Sequence, residues 1–243
     1  MDNPTAAKHI IRSLDLTSLN NNDTPQTIAE LCKKAETKYG NVAAVCVYPE
    51  FINVALKEVP QGVKIATVVN FPKGESDIKI VEKEIKKAIK SGADEIDAVL
   101  PYARLLAGDE DYCKYFLQSC RNFCENKILK IIIETGELKS TMLIKKATQM
   151  CIDAGADFVK TSTGKTKISA TPEAANAMLE VIKASGKNVG FKASGGIKTT
   201  EDAKKYLVLA NVILGNQWSD QRHFRIGASS VLSDLLKTIE QGF

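Results

Sequence analysis

Two lysines in this chain stand where strands should end. Lys160 closes DFVK (157–160) and runs straight into Thr161-Ser162-Thr163-Gly164, while Lys192 closes NVGFK (188–192) ahead of Ala193-Ser194-Gly195-Gly196. A strand-end lysine is ordinarily a solvated edge charge whose stem lies along apolar surface. The small hydroxyl-bearing residues behind Lys160 offer no such surface and read instead as a pocket wall. If the fold brings both ammoniums to one mouth, each raises the cost of protonating the other. An unperturbed lysine, with a pKa near ~10.4, presents little free amine at neutral pH. Partial desolvation beside a second positive charge lowers that value and makes the amine a nucleophile. Such an amine adds to a carbonyl and loses water, and the resulting iminium acidifies the neighbouring carbon. That is machinery for making or breaking a carbon–carbon bond without a metal.

A third group joins the lysines through an internal echo. Residues 92–97 read GADEID and residues 155–160 read GADFVK, so the fifth residue after each glycine is ionisable, Asp97 in one and Lys160 in the other. In a repeated strand–helix unit these two stand at the same height. Asp97 is followed by Ala98-Val99-Leu100 and is not expected to be fully solvated; it could shuttle the protons of carbonyl addition directly or through water. Its bland alternative is a structural aspartate paired to a lysine. Two further clusters suggest an anion site. Ser194-Gly195-Gly196 follows the seventh strand, and Gly227-Ala228-Ser229-Ser230 follows the eighth and opens the last helix. Backbone N–H groups and a helix N-terminus at such places suit a phosphate. A lysine with a phosphate nest could equally hold pyridoxal phosphate, a reading that a yellow protein would favour.

The elements that must position these residues alternate strand and helix. Strands are expected at 13–17, 42–47, 63–69, 94–100, 128–134, 157–160, 188–192 and 224–227. Helix periodicity marks 76–90, 139–153 and 172–184, and another helix begins near Thr200 and carries 211–214 as its tail. Residues 4–13 make an extra amphipathic segment before the first strand. A helix capped by Asp23 or Thr24, with Pro25 at its first position, is expected to end at Gly40. Apolar runs such as Ile131-Ile132-Ile133 need cover on both faces, which argues for a parallel sheet. Eight such units in 243 residues predict a single (β/α)8 TIM barrel over 1–243 with an extra N-terminal helical segment, its site at the carboxyl ends of the strands. The open doubly wound sheet lacks a GxGxxG turn to support it.

A formal charge of +4 is spread along the chain, as in KIVEKEIKKAIK (79–90), where Glu82 and Lys86 are spaced to pair. No basic stripe suggests nucleic acid, and no apolar run suggests a membrane. The six cysteines match no zinc spacing, and only His9 and His223 could assist them. Cys113, Cys120, Cys124 and Cys151 fall in helical stretches as small hydrophobes, and reduced thiols without a signal peptide point to the cytoplasm.

Eight segments together carry a family likeness: SLDLTSLN (13–20), AAVCVYP (43–49), ATVVNFP (66–72), GADEIDAVLPY (92–102), IIIETGEL (131–138), DFVKTSTG (157–164), GFKASGGIKT (190–199) and FRIGASS (224–230). From about Leu14 to Leu236 the chain resembles the deoxyribose-phosphate aldolases, lyases that work through a lysine Schiff base and need no metal or other cofactor. The resemblance implies that Lys160 forms the Schiff base with acetaldehyde, that Lys192 lowers its pKa, and that Asp97 takes part in the proton relay. It implies that Thr163 and Lys165, with Asp15 and Thr17, line the site and hold sugar hydroxyls. Gly164, Gly195, Gly196, Gly227, Ser229 and Ser230 are implied to hold the phosphate. Cys46 matches a position near the substrate, although its apolar strand favours packing. The implied substrates are a small phosphosugar and aldehydes, the implied role cytoplasmic deoxyribose phosphate breakdown, and the implied assembly a homodimer.

The likeness has two departures. Ala193-Ser194 stand where the family usually has proline and alanine. Some members also end in a tyrosine that assists proton transfer, whereas this sequence ends Gln241-Gly242-Phe243, so the expectation is greater reliance on Asp97 and water. The alternatives are a Schiff-base aldolase for another phosphorylated sugar and a non-catalytic phosphosugar-binding barrel; the presence of both lysines and Asp97 argues against the latter.

Overall fold

The computed structural model describes residues 1–242; Phe243, on which the tail expectation rests, lies outside them. Eight strands close into a parallel barrel: β1 (Leu14–Ser18), β2 (Ala44–Val47), β3 (Lys64–Val69), β4 (Glu95–Val99), β5 (Ile128–Ile132), β6 (Phe158–Lys160), β7 (Gly190–Ser194) and β8 (Phe224–Ala228). Each strand pairs with its sequence neighbours, and β8 returns to β1 with Gly227 opposite Asp15. Helices cover the outside, among them Ile78–Lys90, Glu110–Cys124, Thr141–Asp153, Pro172–Ser185, Thr200–Leu214 and Val231–Gln241. The extra helix Asn3–Arg12 is present and lies against the last one, where Pro4 meets Gly242. Among the described residues no helix is long and apolar enough to cross a membrane.

Local chemistry explains the helix starts. Thr24 and Thr199 each complete a reciprocal capping box, while Asp77 and Thr171 accept backbone N–H groups from the first turns they precede. These caps satisfy donors that a helix N-terminus otherwise leaves unpaired.

Three expectations are corrected. The helix expected to reach Gly40 ends at Lys33, and the chain then makes a small antiparallel hairpin, Glu36–Thr37 with Gly40–Asn41. The strand expected over 128–134 stops at Ile132, because Glu134 turns into the left-handed region at φ +53°. Lys192 is not a strand-end residue: β7 runs on to Ser194, which pairs with Gly227. Lys160 does end its strand.

Alternation along the strands separates two cores. Leu14, Leu16, Val45, Val47, Ile96, Ala98, Leu129, Ile131, Val159, Phe191, Ala193 and Ile226 face the helices and join the main apolar core. The opposite set faces the lumen and stacks in layers contributed by alternate strands. The floor holds Ala44, Glu95, Phe158 and Arg225, the middle Asp15, Ala66, Lys130 and Lys192, and the top Cys46, Asp97, Lys160 and Gly227. Contacts follow these layers: Arg225 meets Glu95 at 3.0 Å, Lys192 meets Asp15 at 2.5 Å, and Lys160 meets Asp97 at 2.7 Å. On the β2–β3 side the lumen is apolar, with Ala44, Cys46, Ala66 and Val68 packed beneath Leu19.

Candidate active site

Seven ionisable side chains meet inside the barrel, all buried: Asp15, Glu95, Asp97, Lys130, Lys160, Lys192 and Arg225. Removing one such ion from water costs several kcal/mol even after relaxation, so compensation decides which of them stays charged. Lys130 reaches all three carboxylates, at 2.5 Å from Glu95, 2.8 Å from Asp97 and 3.6 Å from Asp15. Arg225 takes Asp15 at 2.6 Å and Glu95 at 3.0 Å. Lys192 takes Asp15 at 2.5 Å and Asp97 at 2.8 Å. Lys160 has Asp97 alone, at 2.7 Å, and the Asp97 oxygen it touches is the one that also accepts from Lys192.

Four bases therefore face three carboxylates, and the least compensated is Lys160. A neutral amine there brings the lumen into charge balance. The proton affinities run the same way. Burial, with the positive charge of Lys192, outweighs Asp97 and pulls Lys160 below the usual lysine value. For Lys192 burial is overcome by Asp15 and Asp97, which hold its ammonium above that value. Lys130 is likewise raised, as Asp97, Glu95 and Asp15 overcome its burial. Asp97, although buried, is held well below the carboxylate range by Lys130, Lys160 and Lys192. The repulsion between the two lysines is mutual but its outcome is unequal: Asp15 and Asp97 hold the Lys192 proton, whereas Lys160, with Asp97 alone, is pulled below the usual lysine value.

Above Lys160 opens a cavity of about 220 Å³. Its wall takes in Thr17, Lys160, Thr163, Gly164, Lys165, Gly195, Gly196, Gly227, Ser229 and Ser230, ten of the residues singled out from the sequence. Asp97 and Lys192 lie beneath Lys160 rather than on the wall. Asp15 lies off this wall: its carboxylate is fully buried and is held by Lys192 and Arg225. Cys46 is also buried in the lumen, where burial and then Asp97 push its thiol pKa up.

The loops that shape this wall are sewn to each other. Ser194 donates through its backbone N–H to Thr161 Oγ1 at 3.0 Å and through its hydroxyl to the Ser162 carbonyl at 2.5 Å. Lys165 Nζ crosses the mouth to the Leu19 carbonyl at 2.5 Å. Gly227 matters for what it lacks: a Cβ there would lie 2.9 Å from Lys192 Cε and 2.9 Å from Ser194 Cβ. The empty position lets the Lys192 stem rise from the middle layer to Asp97. Ser229 and Ser230 line the cavity at the start of helix Val231–Gln241, a kind of terminus that suits an anion.

Sequence reasoning missed Lys130, Glu95, Arg225, Lys198 and Glu134. The first three had a signal, a charge at an inward position of an otherwise apolar strand. Lys198 adds a second cation to the pocket wall. Glu134, buried after β5, accepts the Thr163 hydroxyl at 2.5 Å; burial raises its pKa against the pull of the Thr163 hydrogen bonds.

The description DeoC/LacD family aldolase belongs to a family model that matches residues 9–236. A provisionally assigned deoxyribose-phosphate aldolase from Coccidioides immitis is similar at 29% identity and a TM-score of 0.84, over 96% of this chain and 86% of that one. The fold is shared with a provisionally assigned deoxyribose-phosphate aldolase from Toxoplasma gondii, at 23% identity and a TM-score of 0.90 over 98% of each chain. It is also shared with a tetrameric deoxyribose phosphate aldolase from Aeropyrum pernix, at 24% identity and a TM-score of 0.75 over 100% of this chain and 94% of that one.

Proposed function

The chain belongs to the DeoC/LacD family of aldolases, and from that premise we propose that it cleaves 2-deoxy-D-ribose 5-phosphate reversibly to acetaldehyde and D-glyceraldehyde 3-phosphate through a Schiff base on Lys160. The observation that carries this reading is the shortage of one carboxylate in the lumen, which falls on the one buried base that reaches the cavity.

The steps follow from that amine. Neutral Lys160 Nζ attacks the C1 aldehyde of the open-chain sugar, and the carbinolamine oxygen leaves as water once protonated. The resulting iminium draws electrons as the C3 hydroxyl loses its proton and the C2–C3 bond breaks. Glyceraldehyde 3-phosphate departs and the acetaldehyde enamine remains on Lys160. Protonation at C2 restores the iminium, and water releases acetaldehyde and the free amine. Asp97, 2.7 Å from Nζ, serves the proton transfers at nitrogen, directly or through water. Lys192 remains an ammonium throughout and disfavours the return of a proton to the free amine. The phosphate is read into the Gly195-Gly196 and Ser229-Ser230 side of the cavity, where backbone N–H groups, two hydroxyls and the Lys165 and Lys198 charges converge.

Borohydride reduction with acetaldehyde, followed by intact and peptide mass spectrometry, tests the reading. We expect a reduced two-carbon adduct on Lys160, its loss in Lys160→Ala, and cleavage of 2-deoxyribose 5-phosphate by the unaltered protein alone. A folded protein that gives no adduct removes the proposal. Pairing of two copies and a cytoplasmic role in deoxyribose phosphate breakdown belong to the same reading; light scattering in solution tests the pairing.

A further inference from the structure

Four carboxylate side chains are buried among the described residues, and one of them is arranged unlike the rest. Asp15, Glu95 and Asp97 each meet at least two cations. Glu134 is equally buried, yet among the described residues it makes no ion pair. Its backbone is also in the left-handed region at φ +53°, a conformation unfavourable to a residue with a side chain. An unpaired buried charge and a strained backbone are two costs at one residue. Neither is needed to end β5, since a glycine or asparagine would turn the chain there with less strain.

What the arrangement supplies is a fixed loop. The Glu134 carboxylate accepts the Thr163 backbone N–H at 3.3 Å and the Thr163 hydroxyl at 2.5 Å. With its proton committed to Glu134, the hydroxyl turns a lone pair to the Lys165 backbone N–H, 3.1 Å away. Two residues along, Gly136 lies so close to the far end of the same loop that a Cβ would sit 2.0 Å from the Ile168 carbonyl oxygen. One turn, 134–136, therefore clips the loop at Thr163 and again at Ile168. Between the clips lie Gly164 and Lys165, both on the cavity wall.

We propose that Glu134 is a positioning residue for substrate binding: its carboxylate sets the Thr163–Lys165 wall against which the phosphorylated end of the substrate is held, while the Lys160 amine is tuned independently by the lumen. The proposal rests on the aldolase reading for the substrate's name but not for the wall. Glu134 touches neither Lys160 nor its partners through any hydrogen bond, so the two functions should separate.

The experiment compares Glu134→Ala, Glu134→Gln and the unaltered protein in three measurements: KM and kcat for 2-deoxyribose 5-phosphate, borohydride trapping at saturating acetaldehyde, and affinity for inorganic phosphate by phosphorus NMR titration. Glu134→Ala is expected to raise KM and weaken phosphate binding by about tenfold to a hundredfold, the span produced by losing hydrogen bonds to a charged acceptor. Trapping should change less than about threefold. Glu134→Gln keeps one acceptor oxygen for Thr163 and should recover part of the loss. Variants that melt earlier but keep KM and phosphate affinity would show a purely structural role and overturn the proposal, as would an unaltered protein that binds no phosphate. If Glu134→Ala does not fold, Glu134→Gln decides by the same readouts. Failure of the aldolase reading shows separately, as absence of trapping on the unaltered protein.

Discussion

The floor and the top of the barrel lumen are made by the same four strands, two residues apart, from similar side chains. At the floor, Arg225 faces Glu95 with its guanidinium 5.4 Å from the Phe158 ring centroid, and Ala44 completes the layer. At the top, Lys160 faces Asp97, and the other two positions are small, Cys46 and Gly227. The floor cation has two carboxylates; the top cation has one, already shared with Lys192. Both ends meet open space, a cavity of about 250 Å³ lined by Glu95, Phe158 and Arg225 at the floor and one of about 220 Å³ above Lys160 at the top. The difference between them is compensation: the floor cation is saturated and the top cation is not. Two residues along the strands the cation passes from β8 to β6, one carboxylate is withheld and β8 carries a glycine, which leaves Lys160 the least compensated base of the lumen.

The largest test of this comparison sets Asp97→Asn against Glu95→Gln. Each leaves buried cations short of a carboxylate, so each should cost about 3–5 kcal/mol in thermal or denaturant unfolding. Only Asp97→Asn should also suppress acetaldehyde trapping on Lys160, measured where both variants remain folded. Equal loss of trapping in Glu95→Gln would end the distinction between floor and top. The Asp97 pKa is depressed in the folded state, so its stabilising share is present above the ordinary aspartate range. It is lost as pH falls through that range toward the folded value, and Asp97→Asn should flatten this part of the acid unfolding curve.

A smaller effect is expected from Lys192→Met. Removing the like charge favours the Lys160 ammonium, which raises the Lys160 pKa. Because the amine reacts only when neutral, the acid limb of the trapping rate against pH should move to higher pH, slowing the reaction about tenfold near neutrality for each unit moved. A limb that stays in place would mean that burial alone tunes the amine. The smallest effect is Gly227→Ala, whose methyl group would press on Lys192 Cε and Ser194 Cβ. A cost of about 1 kcal/mol in unfolding is expected, with the stem of Lys192 giving way.

Much of the barrel could be read from its local pattern. Apolar alternation, glycine-ended helices and the paired GAD segments carry the strand count, and the echo puts Asp97 and Lys160 at one height, where they pair. The lumen network was harder. Lys130 sits in ILKII, where the flanking isoleucines made the strand look uniformly apolar, and only the period of two shows that it faces inward. Arg225 and Asp15 are 210 residues apart, and their pairing exists only because β8 closes on β1. For the same reason the sequence hides the partners of Asp15, which come from the far end of the chain. The 36–41 hairpin is hidden because two-residue strands carry no period, and Glu134 because its hydrogen-bond partner Thr163 lies on another loop.

That closure between first and last strands bears on how the protein comes into being. Lys192 and Arg225 both take Asp15 as a partner, so without β1 each loses one of its two carboxylates. A growing or half-assembled barrel holds those cations in water, where Lys160 is an ordinary lysine with an ordinary affinity for protons. The pull on the Lys160 proton is therefore a property of the closed ring, and a barrel that opens at this seam gives it up together with its charge network.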